Sequence, residues 1–259
     1  MSATPRIVLI TGASSGIGYA TALAFARAGD YVVATARRAD RLEQLAAEAS
    51  ALPGEILPVV ADVTHPEDMA RAVEAAIERW GGLDVLVANA GLGQRGALVD
   101  AAWDELEPLL RVNIEGVLHS IRQAVPAMRN TPRPGHVMLI SSVAGVAPAP
   151  YAALYGATKS FVNGLARALR FELDDDGIWV TTFIVGQTHS EFAERRLGRP
   201  GRVASKLPTM SAEYVARRIV RAASQRKRAV ILRPIDFAFV LAAVLLPGLL
   251  DRLQKAVYR

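Results

Sequence analysis

The chain has 259 residues, 51% hydrophobic and 21% charged, which suits one α/β domain with a large core and excludes a disordered or fibrous chain. It has no cysteine, so disulfide scaffolds and thiolate metal sites are excluded, and no metal is expected. Net charge is +5, but the arginines are scattered rather than striped, and lysine occurs only at Lys159, Lys206, Lys227 and Lys255; no nucleic-acid partner is expected.

The opening MSATPRIVLITG lacks the basic stretch, long apolar run and small-residue cleavage site of a secretory leader, so a cytoplasmic location is the expectation. RIVLIT predicts a strand followed by a helix from about Ile17. YVVATA predicts a second strand with a helix from about Asp40, and EILPVVA a third with a helix from Pro66. Thr64-His65-Pro66-Glu67 reads as a capping box with proline just inside the helix, and Gly81-Gly82 as its end. Then come DVLVANA, a long helical stretch from about Ala101 to Met128, HVMLIS, a helix through Tyr155 to Leu173, and IWVTTFIV. Strand–helix alternation of this kind predicts a doubly wound, mainly parallel sheet with helices on both faces, in a single domain over 1–259.

The first strand runs into Thr11-Gly12-Ala13-Ser14-Ser15-Gly16-Ile17-Gly18. Glycines at a strand–helix turn let backbone N–H groups approach a pyrophosphate at the positive end of the helix, so this turn predicts dinucleotide binding. The end of the second strand reads Ala36-Arg37-Arg38, with no carboxylate before Asp40. An acid there would accept from a ribose 2′-hydroxyl, whereas arginine suits a 2′-phosphate. The expectation is NADP(H) rather than NAD(H), with Arg37 as the main phosphate contact and Ser15 or Arg38 in support.

In order and spacing, Thr11–Gly18, Asn89-Ala90-Gly91, Asn113, Ser142 and Tyr155-x-x-x-Lys159 resemble the short-chain dehydrogenase/reductase family, in its compact branch, from Ile7 to about Val230. The resemblance implies a seven-stranded doubly wound sheet, a nicotinamide cofactor and hydride exchange between a carbonyl and an alcohol. It implies cofactor contacts at Gly12, Ser14, Ser15, Gly16, Ile17, Gly18, Arg37, Arg38, Asp62, Val63, Asn89, Ala90, Gly91, Tyr155, Lys159, Gly186, Thr188 and Ser190. It also implies a homodimer or homotetramer.

Reduction leaves negative charge on the substrate oxygen, so the site needs a proton donor titrating near neutrality. A lysine one helical turn after a tyrosine can favour the phenolate. Tyr155 has that lysine at Lys159, whereas four residues after Tyr151 stands Tyr155 itself; Tyr155 is the expected acid/base. Ser142, at the end of the HVMLIS strand, is expected to donate to the substrate oxygen. Asn113 is implied by the resemblance to hold a water that links the lysine to solvent. Ser142, Tyr151, Gln187 and Phe192 are the expected substrate contacts.

The chain departs from the family pattern after the sixth strand, where Val185-Gly186 replaces proline-glycine and Ser190 the usual threonine. Residues 187–210 form the expected substrate flap. Beyond it, the segment 235–259 is apolar from Phe237 to Leu250 apart from Pro247-Gly248, too short to span a bilayer. Three readings stay open: a cover over the substrate mouth or dimer interface, a peripheral membrane contact through 237–250, or an unpacked tail. The expected function is an NADP(H)-dependent oxidoreductase acting on a small apolar ketone or secondary alcohol. The alternatives are a catalytically silent cofactor-binding sensor or scaffold, and an epimerase or dehydratase.

Overall fold

The structure is a computed structural model that describes residues 4–189, 191–192, 196–198 and 209–258. Its elements run β1 (Ile7–Thr11), α1 (Gly16–Arg27), β2 (Tyr31–Ala36), α2 (Ala39–Ala49), β3 (Glu55–Val60), α3 (Pro66–Trp80), β4 (Val85–Ala88), α4 (Trp103–Leu110), α5 (Gly116–Arg129), β5 (His136–Ser142), α6 (Ala153–Glu172) and β6 (Trp179–Val185). The two-residue strands β7 (Thr188–His189) and β8 (Met210–Ser211) follow, then α7 (Ala212–Ala222), β9 (Ala229–Ile231), α8 (Pro234–Leu245) and α9 (Pro247–Tyr258).

Seven parallel strands form one sheet in the order β3-β2-β1-β4-β5-β6-β9. Strands buried on both faces must be apolar throughout, and β1 is buried at every position. Their side chains still alternate: Val8 and Ile10 join Phe25, Leu42, Leu45 and Ile219 on one face. Ile7 and Leu9 join Met69, Ile121, Val162 and Leu169 on the other. Pro58, which cannot donate to a ladder, sits in the edge strand β3. The order reverses between β1 and β4, and the carboxyl ends of the strands there flank the crevice in which ligands of such folds bind.

The helix expected over 101–128 forms as one run of helical backbone from Trp103 to Arg129, with a five-residue π turn at Arg111–Glu115 between α4 and α5, a device that recurs at functional sites. The capping box at Thr64 does not form. His65 occupies the N-cap position without a side-chain cap bond; the helix starts one residue later than the box requires, and the Thr64 hydroxyl, outside it, donates to Asp62 at 2.9 Å. Gly81 does end α3, in the left-handed conformation at φ +86°.

Candidate active site

The turn after β1 is built by close approach. A Cβ on Gly18 would lie 2.3 Å from the Gly12 carbonyl oxygen, so only glycine lets α1 pack so near the strand end; Gly18 does not itself line the cavity. The Thr11 hydroxyl accepts from the backbone N–H groups of Asn89 (3.1 Å) and Ala90 (3.0 Å), and the Asn89 amide donates to the Thr11 carbonyl at 2.9 Å. The ends of β1 and β4 are thereby locked together.

Between them lies a cavity of about 1100 Å³, above the roughly 300–1,000 Å³ of an ordinary small-molecule pocket. One end is lined by Gly12, Ser14, Ser15, Gly16 and Ile17, with Arg37, Arg38, Asp62 and Val63 beside them and Asn89, Ala90 and Gly91 leading inward. The N-terminus of α1 faces this end with no side-chain cap and no acid in its first turn. Arg38 donates to the Ser14 hydroxyl (2.9 and 3.2 Å) and carbonyl (3.2 Å). It also pairs with Glu191 at 3.4 Å, whose other oxygen lies 2.8 Å from Arg41. Arg37, expected to lead, is 67% exposed and faces Asp62 at 3.6 Å; Arg38 is the arginine that the fold holds in place. Burial pushes the Asp62 carboxyl up, but the Thr64 backbone and hydroxyl bonds and Arg37 outweigh it, so the group stays below the ordinary aspartate value.

At the other end, β5 and α6 bring Ser142, Tyr155 and Lys159 together on the cavity wall. The Ser142 oxygen accepts from Ala144 N–H at 3.1 Å, and its hydroxyl stands next to the Tyr155 phenol, which it favours in the charged form. The Lys159 ammonium donates to the Ile140 carbonyl at 3.0 Å and lies 5.9 Å from the centre of the Tyr155 ring. Asn113, wholly buried in the π turn, lies behind the wall. Its amide donates to the Leu92 carbonyl (3.0 Å) and the Thr158 hydroxyl (3.1 Å), and its oxygen accepts from Leu92 N–H at 2.8 Å. Thr158 donates onward to the Tyr155 carbonyl at 2.8 Å. Both amide protons are used, which leaves one lone pair on Oδ1 for a water.

The electrostatics correct one expectation. Burial drives the Lys159 ammonium down to about 8, and burial raises the Tyr155 phenol above its ordinary value, against the lowering by Ser142 and Arg196. In the protein alone, desolvation therefore disfavours both charged forms, and the net lowering of Tyr155 expected from its neighbouring lysine does not occur.

Of the expected substrate contacts, Gln187 and Phe192 line the cavity with Ser142, and the Phe192 ring lies 5.8 Å from that of Tyr155. Tyr151 does not line it. Its backbone is left-handed at φ +62°, its side chain is half exposed, and its carbonyl accepts from Gly96 N–H at 2.9 Å, so it braces a loop. Gly186 and Thr188 also line the cavity. In place of the usual proline, the loop is tied by β7 pairing with β8 and by Met210 N–H donating to the Gln187 carbonyl at 2.9 Å. Ser190, and residues 193–195 and 199–208 of the 187–210 flap, lie outside the described residues.

Sequence reasoning missed Thr158 and gave Thr11 no role of its own, though both hydroxyls work inside the fold; it held a cover over the substrate mouth among the readings of 237–250 without naming the cavity-lining residues Phe239, Leu250, Leu253 and Gln254 of α8 and α9. Thr158 is legible in hindsight as the position before the lysine. The helix contacts carry no local signal.

A short chain dehydrogenase family model matches residues 6–198. An uncharacterised oxidoreductase of Listeria monocytogenes is 40% identical over 185 residues, 71% of this chain and 74% of the relative. The dehydrogenase/reductase SDR family member 7B of Bos taurus is 32% identical over 262 residues, 96% of this chain and 80% of the relative. Among solved structures, an alcohol dehydrogenase of the archaeon Thermococcus sibiricus complexed with 5-hydroxy-NADP aligns with a TM-score of 0.79 at 27% identity, over 90% of this chain and 98% of that one. The chain belongs to the short-chain dehydrogenase/reductase family. It is an oxidoreductase.

Proposed function

We propose that the protein exchanges hydride between NADP(H) and an apolar ketone or secondary alcohol. The observation that carries this reading is one continuous cavity that joins an anion-binding end at Ser14 and Arg38 to the Ser142–Tyr155–Lys159 group and ends on the apolar side chains of Phe192, Phe239, Leu250 and Leu253.

The residues fit the cofactor. The uncapped α1 N-terminus suits a pyrophosphate, Arg38 and Ser14 suit a 2′-phosphate, and the side-chain oxygen of Gln187, buried in the cavity wall without a partner among the described residues, suits an amide or hydroxyl donor. The nicotinamide, when bound, supplies or accepts the hydride. Tyr155 delivers the proton to the carbonyl oxygen, or removes it from the alcohol. Ser142 donates a second hydrogen bond to that oxygen and shares its developing charge. Lys159 is the cation next to the phenol and, with its long stem, reaches ribose hydroxyls. Asn113 acts through Thr158 and Leu92 and through the lone pair left for a water.

The test is an absorbance screen of NADPH and NADH oxidation over steroid, retinoid, aliphatic and acyl ketones. Turnover of apolar ketones with NADPH, slower with NADH, is the expected result. Tight NADPH binding without turnover across the whole panel would favour the silent sensor instead.

A further inference from the structure

We propose that α8 and α9 form a docking surface for an anionic lipid bilayer, and that the substrate cavity opens through this surface. The inference goes beyond the proposed chemistry and does not depend on which carbonyl is reduced.

The polarity of α8 is inverted. From Phe237 to its C-cap Leu246 the run FAFVLAAVLL contains no polar side chain, yet the buried residue of the helix is Asp236. That carboxylate is satisfied internally by Arg233, at 2.8 and 2.7 Å. Phe237, Leu241, Val244, Leu245, Leu246 and Leu249 are exposed instead. An apolar run of this length fits a buried core helix, an interfacial segment or a leader. Exposure removes the first, and its place after the last strand of the folded sheet removes the last.

Neither helix crosses a membrane by itself: each has twelve residues, about 18 Å at 1.5 Å per residue, against a hydrocarbon core of about 30 Å. They bend through 113° at their junction, a shape suited to lying in the interface. A second copy of the chain would cover one stripe of a helix, whereas the residues of α8 between its exposed leucines, Phe239, Val240, Ala242 and Ala243, are only partly covered as well, so the apolar surface spreads beyond a single stripe. Charge favours the same occupant. Arg252 and Lys255 are exposed on α9 against one acid, Asp251, which suits anionic headgroups.

The apolar surface is continuous with the cavity. Ile235 and Leu253 are exposed and also line it, while Phe239 and Leu250 line it further in. An apolar substrate dissolved in the bilayer would reach Tyr155 without crossing water.

The test is co-sedimentation of the full chain with phosphatidylcholine vesicles, with and without phosphatidylglycerol, alongside light scattering. The wild type is expected to pellet, several-fold more with the anionic lipid. Leu241→Glu/Leu245→Glu, two positions outside the cavity wall, should remain in the supernatant with an unchanged melting temperature and NADPH affinity. Arg252→Glu/Lys255→Glu should abolish the preference for anionic lipid. A wild type that stays in the supernatant with both vesicle types would overturn the proposal. So would a dimer that the leucine substitutions convert to monomer without affecting sedimentation, which would assign the surface to a second copy.

Discussion

Lys159 shows how much of a site depends on depth. Its spacing from Tyr155 is legible in five letters of sequence, but the sign of the net electrostatic effect is not, because spacing says nothing about desolvation. With the folded value near 8 and the unfolded value near 10.5, the unfolded chain holds a proton in this interval that the folded protein lacks. Raising pH then favours folding. Urea unfolding of the protein without cofactor should therefore show stability rising from pH 8 towards pH 9.5, with this group contributing at most about 1.4 kcal/mol per pH unit. Lys159→Met should remove that contribution, and an unchanged slope would contradict the burial argument. Glu191 gives a second residue-scale prediction. Its carboxylate pairs with Arg38 and Arg41, where a 2′-phosphate would compete for the same guanidinium. Partly exposed ion pairs are worth about 0–1 kcal/mol, so Glu191→Gln should tighten NADP⁺ binding by up to about fivefold while leaving NAD⁺ unchanged, as read by fluorescence titration. The arginines at the end of β2 were visible from sequence; which of them is held, and by what acid, required the fold.

Among the elements, strands and most helices were readable because parallel strands buried on both faces give unbroken apolar runs and the helices between them keep their own period. The π turn at Arg111–Glu115 was not, since its wider backbone pairing leaves the apolar character of the surrounding segment intact. That turn places Asn113 where its amide ties Leu92 to Thr158. Asn113→Leu would leave the Leu92 N–H and C=O without that partner, at about 1–3 kcal/mol per unsatisfied buried group. The expected loss is about 2–4 kcal/mol in urea unfolding, together with reduced turnover. Asn113→Asp, compared at acidic pH where the carboxyl is neutral, keeps the oxygen that accepts from Leu92 and one donor, so it should lose less stability. Equal losses in the two variants would show that the amide hydrogen bonds are not what the turn supplies. The capping box at Thr64 failed for a related reason: a sequence pattern names a possible hydrogen bond, but the helix starts with His65 at its N-cap, which leaves Thr64 one residue too early to cap it.

At the scale of the whole molecule, the doubly wound sheet gathers the ends of β1, β4, β5 and β6 on one edge, so residues scattered from Gly12 to Gly186 meet in a single cavity. This convergence was legible from order and spacing, because a right-handed parallel sheet leaves few ways to arrange such segments. The position of α8 and α9 was not legible: an apolar stretch reads alike whether it covers a cavity, a partner or a lipid surface, and only the fold put Phe239 and Leu250 in the cavity wall. The account as a whole stands on Tyr155 as the group that moves the proton. The most direct test compares Tyr155→Phe with the wild type for NADPH oxidation by an apolar ketone, with NADPH affinity measured in parallel. Loss of turnover by about 10²-fold or more at unchanged affinity is predicted; a phenylalanine enzyme that turns over at the wild-type rate would contradict it.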